Sequence, residues 1–257
     1  MADGFHIPKI SLIVIARNEE ELIGQCLESA ASFCDELIVV DSFSTDRTVE
    51  IARTLGARVF EREFQGYIAQ KQFAFEQACG EWIFSLDADE HATWELGREI
   101  QRTVAAPGAA DGYRIRRILY HLDHYYTGGT YRDWLIRLCR RERGSFGGLE
   151  PHASVTVEGR IGRLESPILH FSYRDVADHV STINRLSTLA ALEVRPGAMT
   201  AFKIAANPAW RFFNLYLLRG GFLDGGRGLY AAISSAFYVF LKYAKLHERR
   251  INSRYQS

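Results

Sequence analysis

The sequence predicts an α/β fold built around a mainly parallel sheet. Strand and helix signals alternate through the first hundred residues, a pattern typical of repeated βα units with right-handed crossovers. The first strand signal is a continuous apolar run, as expected for a strand that is buried on both faces. Another run, Trp82-Ile83-Phe84-Ser85-Leu86, ends abruptly at Asp87-Ala88-Asp89-Glu90. Acids at a strand tip mark the sheet edge where open α/β proteins bind ligands.

Each element of the first hundred residues has its own local signal. The isoleucine-rich run at residues 9–16 predicts the first strand, and Asn18 is expected to cap the next helix, whose first turn is acidic. Ser44 or Thr45 then opens a second helix, and Gly56 ends it. The other elements predicted in this part are strands at residues 36–40 and 57–60, a helix at 67–79 and the acid-tipped strand at 82–86.

The pattern changes after residue 110. Runs at residues 112–121, 134–140 and 154–157 predict strands that are separated by loops rich in glycine and tyrosine. We expect them to form an antiparallel extension that covers the acidic edge, on the side where a second substrate, the acceptor, would bind. A helix is predicted at residues 175–193, and Pro196-Gly197 breaks the chain after it.

These signals predict two regions. The first is expected to span residues 1–195, with one part at 1–110 and a second part at 111–195. Residues 196–257 are expected to form a basic amphipathic helical region. A length of 257 residues, with 47% hydrophobic and 24% charged residues, suits a globular protein of this size.

The formal net charge of zero conceals an uneven distribution. Residues 195–257 carry ten Lys and Arg against two acids, a net charge of +8, which leaves −8 on the rest.

The four cysteines have neither metal-site nor disulfide-scaffold spacing, so buried thiols in a reducing cytosol are expected. Because signal-peptide features and a membrane-spanning apolar run are both missing from the sequence, we expect a cytoplasmic protein.

The acidic strand tip carries the chemistry. Alternation along a strand directs Asp87 and Asp89 to the same side, where both carboxylates can meet one hard cation. Mg²⁺ or Mn²⁺ held by two carboxylates completes its coordination with water and substrate phosphates. The pair therefore predicts a phosphorylated or diphosphate-bearing substrate. The alternative is a solvated acidic turn, which would suit an isolated Asp-x-Asp motif better.

Three segments in order, "SLIVIARNEE", "ELIVVDSFSTDRTVEIA" and "KQFAFEQACGEWIFSLDADE", carry a resemblance that covers roughly the first hundred residues. In them the chain resembles family 2 glycosyltransferases, whose nucleotide-diphosphosugar-binding domain has the GT-A fold. The later segments "RLCRRERGSFGGLEPHASVTVEGRIGRLESPILHFSYRD" and "LRGGFLDGGRGLYAAISSAFYVFLKYAKL" are similar, more diffusely, to bacterial enzymes that extend the lipopolysaccharide inner core.

The resemblance implies that residues 1–195 form the catalytic domain, with the nucleotide-sugar-binding part at 1–110 and the acceptor-side part at 111–195. It also implies a donor site for a nucleotide sugar, with a UDP-sugar expected. Arg17 and Glu19 would lie at the base and ribose, and Asp41 would accept a hydrogen bond from the base imide or the ribose. Lys71 would reach the ribose or diphosphate, and a solvated helix lysine is its alternative. Glu19 has an alternative role in compensating the helix dipole.

The same resemblance implies that Asp87 and Asp89 bind the metal and the donor ribose. The metal would act as a Lewis acid on the departing diphosphate. For Asp46, helix capping is the favoured role, and Ser44 has the same alternative.

Inverting transfer needs a general base that deprotonates the acceptor hydroxyl. Family relatives carry an acid directly after the histidine of a Pro-His or Val-His pair, but here Pro151-His152 is followed by Ala153. The base is then Glu150, or His152 itself, or the chain has lost its base. Asp133 and Arg132 are further acceptor-side possibilities with a solvated loop as the alternative, and His170 is expected to pack against the sheet.

Three functional classes compete. The leading prediction is a metal-dependent inverting transferase acting on a lipopolysaccharide-core or other lipid-linked acceptor. A sugar-nucleotide nucleotidyltransferase needs a glycine-rich cationic loop after the first strand, whereas this chain has Ala16-Arg17-Asn18-Glu19-Glu20 there. A binding protein of transferase fold without turnover is the third possibility, and Ala153 is its best support.

The basic C-terminal region predicts a partner of its own. Residues 209–223 and 228–246 are aromatic and aliphatic with interspersed Lys and Arg, a pattern that favours amphipathic helices lying in a membrane interface. The expected partner is the anionic inner face of the cell membrane, and no nucleic acid is expected. Ordinary helices packed on the catalytic domain are the alternative. Gly220-Gly221 and Gly225-Gly226 are expected to let the two helices turn sharply.

Overall fold

A computed structural model describes residues 10–126, 133–150, 152–194 and 200–255. The chain divides into two compact units. The first comprises Met1–Ile118 and Asp133–His170, and the second comprises Leu119–Arg132 and Phe171–Ser257. The predicted break at Pro196-Gly197 lies outside the described residues.

The centre of the first unit is a parallel arrangement of four strands. These are β1 (Ile10–Ala16), β2 (Glu36–Asp41), β3 (Arg58–Glu61) and β4 (Trp82–Asp87), in the spatial order β3-β2-β1-β4. In the register, Ala16 pairs with Asp41 and Ile15 pairs with Asp87, so the carboxyl ends of β1, β2 and β4 meet at one edge. The predicted sites for donor and metal are therefore on neighbouring strand ends.

Antiparallel strands extend the sheet beyond β4. They are β5 (Glu90–Ala92), β6 (Gly112–Leu119), β7 (Asp133–Arg140) and β10 (Ile161–His170), and the complete sheet order is β3-β2-β1-β4-β7-β6-β10-β5. A separate antiparallel pair is formed by β8 (Gly144–Leu149) and β9 (His152–Val157). The mixed sheet, parallel at its centre with an antiparallel extension, confirms the predicted fold class.

Helices cover both faces of the sheet because the strand residues alternate between two apolar clusters. Leu12 and Val14 belong to one cluster and Ile13 to the other. Helices α1 (Ile23–Ala31), α2 (Thr48–Thr54) and α4 (Trp94–Ala105) supply residues to the first cluster. Helix α3 (Tyr67–Gln77) supplies Ala74 and Phe75 to the second.

The structure tests the two predicted helix caps, Asn18 and Asp46. Asn18 does not cap α1, which begins four residues after the predicted acidic turn at Glu19, and that prediction was wrong. The side chain of Asn18 accepts a hydrogen bond from the Thr45 backbone N–H at 2.8 Å instead, in a left-handed conformation with φ 56°. Asp46 accepts the backbone N–H of Thr48, the first residue of α2, at 3.0 Å, but the N-cap residue is Arg47, so Asp46 lies one position before the cap.

Helices dominate the second unit. They are α5 (Val176–Glu193), α6 (Thr200–Phe213) and α7 (Gly225–Tyr255), with a π-helical turn at Asn214–Leu218 and a 3₁₀ turn at Gly221–Asp224 between the last two. Gly220 adopts φ 73° and Gly225 φ 59°, as expected for a sharp reversal. A Cβ atom at Gly228 would come 1.8 Å from the carbonyl oxygen of Gly221, so only glycine permits this close approach.

A buried cluster of histidine and tyrosine rings lies in the second unit. His179 stacks on Tyr173 with ring centroids 3.9 Å apart, and its Nδ1 lies 2.8 Å from the hydroxyl of Tyr230. The ring of His121 stands edge-on to His179 at 5.3 Å. Burial, reinforced by the neighbouring His121, lowers the pKa of His179 to about 4. Both imidazoles are therefore neutral at physiological pH, since burial also lowers the pKa of His121.

Candidate functional site

The carboxylate of Asp87 is held between two cations at the tip of β4. Lys71 Nζ on α3 lies 2.5 Å from Oδ1, and Arg137 Nη2 on β7 lies 2.8 Å from Oδ2. Burial raises the pKa of Asp87, but the charges and hydrogen bonds of Arg137 and Lys71 outweigh it and hold that pKa well below the usual value. Asp87 is therefore ionised, and Lys71 is buried rather than solvated as its alternative role required.

Arg137 also joins Asp87 to Glu90 in one charged network. Its Nη2 lies 2.5 Å from Oε1 of Glu90, a residue with no exposed surface, and the Glu90 carboxylate also accepts the backbone N–H of Asp87 at 2.9 Å. Arg117 on β6 reaches the same Glu90 oxygen at 3.2 Å and bridges to Asp133 at 3.1 Å. The turn that follows β4 is thus fixed by two arginines from the antiparallel extension.

Asp89 has a separate partner, which sequence reasoning missed. Nε2 of His170 lies 3.1 Å from Oδ2 of Asp89, and His170 is the last residue of β10. Strand β10 runs antiparallel to β5 with His170 opposite Glu90, and this register brings a residue 81 positions away to the acidic tip. His170 was expected to pack against the sheet, and the only local signal for its role was its position at the end of an apolar run.

A divalent metal fits this part of the site through two protein ligands. Among the described residues, no three His, Cys, Asp or Glu side chains are grouped as a complete metal cage. Asp89 and His170 are both metal-ligating types in contact, and Mg²⁺ usually takes one or two carboxylates and fills its shell with water and phosphate. Because two cations already balance the charge of Asp87, the donor set that fits best is Asp89 with His170.

Asp41 organises the loop after β2. It is completely buried, and its two oxygens accept from the backbone N–H and the hydroxyl of Ser44 at 2.7 and 2.5 Å. The Ser44 hydroxyl in turn accepts the backbone N–H of Asn18 at 2.8 Å, which ties this loop to the one after β1. A contact from Asp41 to the nucleotide stays a prediction.

The remaining donor-site residues follow β1. Arg17 is exposed, and Glu19 is half-buried with its backbone N–H donated to the hydroxyl of Thr48 at 2.8 Å. Both lie in the loop that begins where β1 ends, next to Asp41 in the strand register. Their contacts with base and ribose stay predictions.

The side chain of Glu150 contacts the first turn of α3, although Glu150 itself follows β8 in the chain. Its two carboxylate oxygens accept the backbone N–H groups of Tyr67 and Ile68 at 3.0 and 2.9 Å, so it serves as a helix cap supplied from a distant part of the chain. His152 is the first residue of β9, paired with Leu149, and Ala153 packs against the second apolar cluster. Asp133 begins β7, whereas Arg132 lies outside the described residues. The identity of the base stays a prediction.

The second unit exposes many large apolar side chains. Its exposed side chains include Leu217, Leu218, Phe222 and Leu223 near the reversal between α6 and α7, and Leu223 is 77% exposed. Two cations of α7 have internal partners. Lys245 donates to the carbonyl and side chain of Asn184 and to two hydroxyls of α5, and Arg249 donates to the Ala191 carbonyl. None of the described helices is long and apolar enough to cross a membrane.

Comparison with known proteins places this chain in a family. The sequence model of Glycosyl transferase family 2 matches residues 11–155, more than half of the 257 residues. The chain therefore belongs to glycosyltransferase family 2, and the α/β sheet with acids at its strand tips is the GT-A fold expected for this class.

Individual relatives match nearly the whole chain. The lipopolysaccharide core biosynthesis glycosyltransferase LpsC of Rhizobium meliloti is 32% identical over 95% of this chain and 94% of its own length. An uncharacterized glycosyltransferase of Rickettsia typhi is 33% identical over 96% of this chain and 89% of its own length. Among solved structures, S. aureus TarS (residues 1–349) matches 95% of this chain and 92% of its own, at 15% identity and TM-score 0.49.

Proposed function

We propose that this family 2 glycosyltransferase moves a sugar from a nucleoside-diphosphate sugar, with uridine as the base, to a lipid-linked acceptor with inversion at the anomeric carbon. The observation that carries the proposal is the pair of charged assemblies at one strand tip. Asp87 is fixed between Lys71 and Arg137, and two residues later Asp89 contacts His170. Such an edge suits a substrate that brings both phosphate charge and a divalent metal.

Asp89 and His170 are the residues that would hold Mg²⁺ or Mn²⁺ in this proposal. When bound, the ion supplies Lewis-acid stabilisation of the negative charge that develops on the diphosphate. The 3.1 Å contact between the two side chains supports this assignment, since both are already directed to one point. Asp87 is proposed as a further ligand, because each of its oxygens keeps a lone pair beyond the one that faces Lys71 or Arg137.

Asp87 acts in this proposal as an ionised hydrogen-bond acceptor for the donor ribose. Lys71 and Arg137 keep its carboxylate charged and fix its orientation from both sides. A group that is oriented before the substrate arrives costs little reorganisation when it binds. Arg17, Glu19 and Asp41 would complete the donor site at the neighbouring strand ends.

The acceptor hydroxyl must lose a proton as its oxygen attacks the sugar. Glu150 and His152 are the proposed bases: Glu150 lies in the connection between β8 and β9, and His152 is the first residue of β9. Each oxygen of Glu150 accepts one N–H group of α3 and keeps a second lone pair on which the proton could be accepted. Ala153 supports the second candidate function, a transferase-fold binder without turnover.

The acceptor and the location rest on the relatives and on the second unit. The printed name of the Rhizobium meliloti relative assigns it to lipopolysaccharide core biosynthesis, which supports a lipopolysaccharide-core acceptor here. Exposed leucine and phenylalanine side chains, together with exposed Lys203 and Arg219, support attachment to the anionic inner face of the cell membrane. We therefore place the enzyme in the cytoplasm as a peripheral membrane protein.

Release of nucleoside diphosphate from UDP-sugars, measured with and without lipopolysaccharide-core acceptor, tests this function. We expect release that depends on acceptor and on Mg²⁺ or Mn²⁺. Asp89→Asn and His170→Gln should each abolish the metal-dependent binding of UDP in a calorimetric titration. Glu158→Gln is the matched control, because this exposed acid lies in the turn before β10, at the opposite end of the strand from His170. Binding without turnover on every donor would favour the binder instead.

A further inference from the structure

Phe43 combines an unusual backbone conformation with an exposed aromatic ring. It lies two residues after Asp41, in the loop that follows β2, and it has φ 56° with 57% of its surface exposed. Bulky L-residues rarely adopt this left-handed conformation, because the Cβ atom crowds the following carbonyl oxygen. An exposed ring recovers little of that cost by burial, so packing does not explain why Phe43 is held there.

Hydrogen bonds on both sides of Phe43 impose its conformation. Before it, the hydroxyl of Ser42 accepts a hydrogen bond from Gln70 Nε2 at 3.0 Å. After it, Ser44 is bound to both oxygens of Asp41 and also accepts the backbone N–H of Asn18. The loop is therefore rigid around a residue whose ring is left in solvent. Strained residues that their surroundings over-determine are concentrated at binding sites.

The position of the ring matches one part of a nucleotide. Asp41 is buried, whereas the ring of Phe43 is the large apolar group that this loop exposes at the donor edge. Strand β1 separates β2 from β4 in the sheet, so the loop lies about 10 Å from the Asp87 strand tip along the edge. A nucleoside diphosphate lying across the strand ends would place its charged diphosphate near β4 and its planar base near β2.

We propose that the ring of Phe43 stacks on the base of the nucleotide donor. The inference rests on the proposed donor class and adds a residue that contacts the base through its face. Stacking accepts any base, because every base has a π-face. Phe43 would therefore supply affinity, while polar groups such as Arg17 and Glu19 would supply the choice of base.

Calorimetric titration of UDP, ADP and GDP in Mg²⁺ tests the proposal, with inorganic pyrophosphate as a ligand that has no base. For the nucleotide that wild type binds best, Phe43→Gly should weaken binding about 5- to 160-fold, which corresponds to the loss of one base–aromatic stacking contact. Pyrophosphate binding should be unchanged. Phe43→Tyr should retain nucleotide affinity. Ile161→Ala is the matched control, because this exposed residue begins β10 and lies at the far end of the strand from His170.

Thermal unfolding separates the proposed role from a structural one. Glycine adopts positive φ without steric cost, so Phe43→Gly should unfold at the wild-type temperature or above while it loses nucleotide affinity. Loss of pyrophosphate binding together with a lower unfolding temperature would mean that the ring supports the loop, and would overturn the proposal. Unchanged nucleotide affinity in Phe43→Gly would overturn the stack and leave the donor class intact. Absence of any nucleotide binding to wild type would overturn both.

Discussion

The guanidinium of Arg137 lies 2.8 Å from the carboxylate of Asp87, although the two residues are 50 positions apart. Because the same Arg137 nitrogen also contacts Glu90, one buried cation from β7 fixes Asp87 and Glu90, the two acids that flank Ala88-Asp89. This relationship assigns the antiparallel extension a direct part in shaping the acidic edge. It also makes Arg137 a residue whose loss would leave the buried Glu90 and the half-buried Asp87 with less charge compensation.

Replacement of Arg137 is expected to destabilise the first unit strongly. Arg137→Met removes one partner of a buried charged network, and such changes typically cost about 3–5 kcal/mol of unfolding free energy. Urea denaturation measures this loss. Arg114→Met, an exposed arginine on the adjacent β6, is the control and should stay within about 0.5 kcal/mol of wild type. Equal effects of both substitutions would contradict a special role for the buried arginine.

Glu150→Gln distinguishes a base from a cap. If Glu150 is the base, turnover should fall about 10²–10⁴-fold while donor binding survives. As a cap alone, the substitution should lower the unfolding free energy by about 0.5–2 kcal/mol and leave turnover nearly intact. Steady-state kinetics of this variant give the change in turnover, and its thermal unfolding gives the change in stability.

Ala153→Asp examines whether the chain lacks its base. An acid at this position restores the residue that family relatives carry after the histidine, so activity should rise sharply if this chain is impaired. Turnover that is unchanged by both Glu150→Gln and Ala153→Asp would direct attention to His152 or Asp133.

The second unit should lose stability as the pH falls from about 6.5 to 4. Burial lowers the pKa of His179 from 6.5 to about 4, so in this range the unfolded chain binds a proton that the folded unit excludes. The stabilising contribution is therefore complete above pH 6.5 and disappears progressively below it. Hydrogen exchange in α5, measured across this range, should show faster opening at low pH.

Two variants check the origin of this pH dependence. His179→Gln should make the stability of the second unit less dependent on pH, because it removes the titrating imidazole. Tyr230→Phe removes the hydroxyl that lies 2.8 Å from Nδ1 of His179 but leaves the imidazole buried. The stability of this variant should therefore still fall with pH as it does in wild type. A profile for His179→Gln that is as steep as wild type would assign the effect to other groups, with His121 first among them.

The reversal between α6 and α7 is expected to enter the membrane interface. In a liposome flotation experiment, the full chain should float with anionic vesicles and less so at high salt. Replacing Leu218, Phe222 and Leu223 by serine should reduce flotation, because these side chains are 60%, 49% and 77% exposed. Leu189→Ser on α5 is the control, an exposed leucine away from the reversal. Equal recovery of wild type and the triple variant with vesicles would leave these side chains without a membrane role.

The sequence alone determined the local elements of the parallel half of the sheet and the family. Continuous apolar runs encode buried strands within a few residues, so β1 to β4 and the acidic tip at Asp87 were predicted closely. Three ordered signatures then identified the family, because their residues lie close together in the chain. The glycine pairs near residues 220 and 225 predicted the reversal for an equally local reason, since positive φ is a property of single residues.

Only the tertiary structure determined which side chains meet. Lys71, Arg137 and His170 reach the acids from a helix and two strands that are separated from them by 16 to 81 positions in the chain. Their partners are set by the order and register of β4, β7, β10 and β5, and such non-local pairing is not encoded in local periodicity. For the same reason Asn18, Glu150 and Lys245 bind groups that are distant in the chain, because the fold brings a suitable donor or acceptor next to each of them.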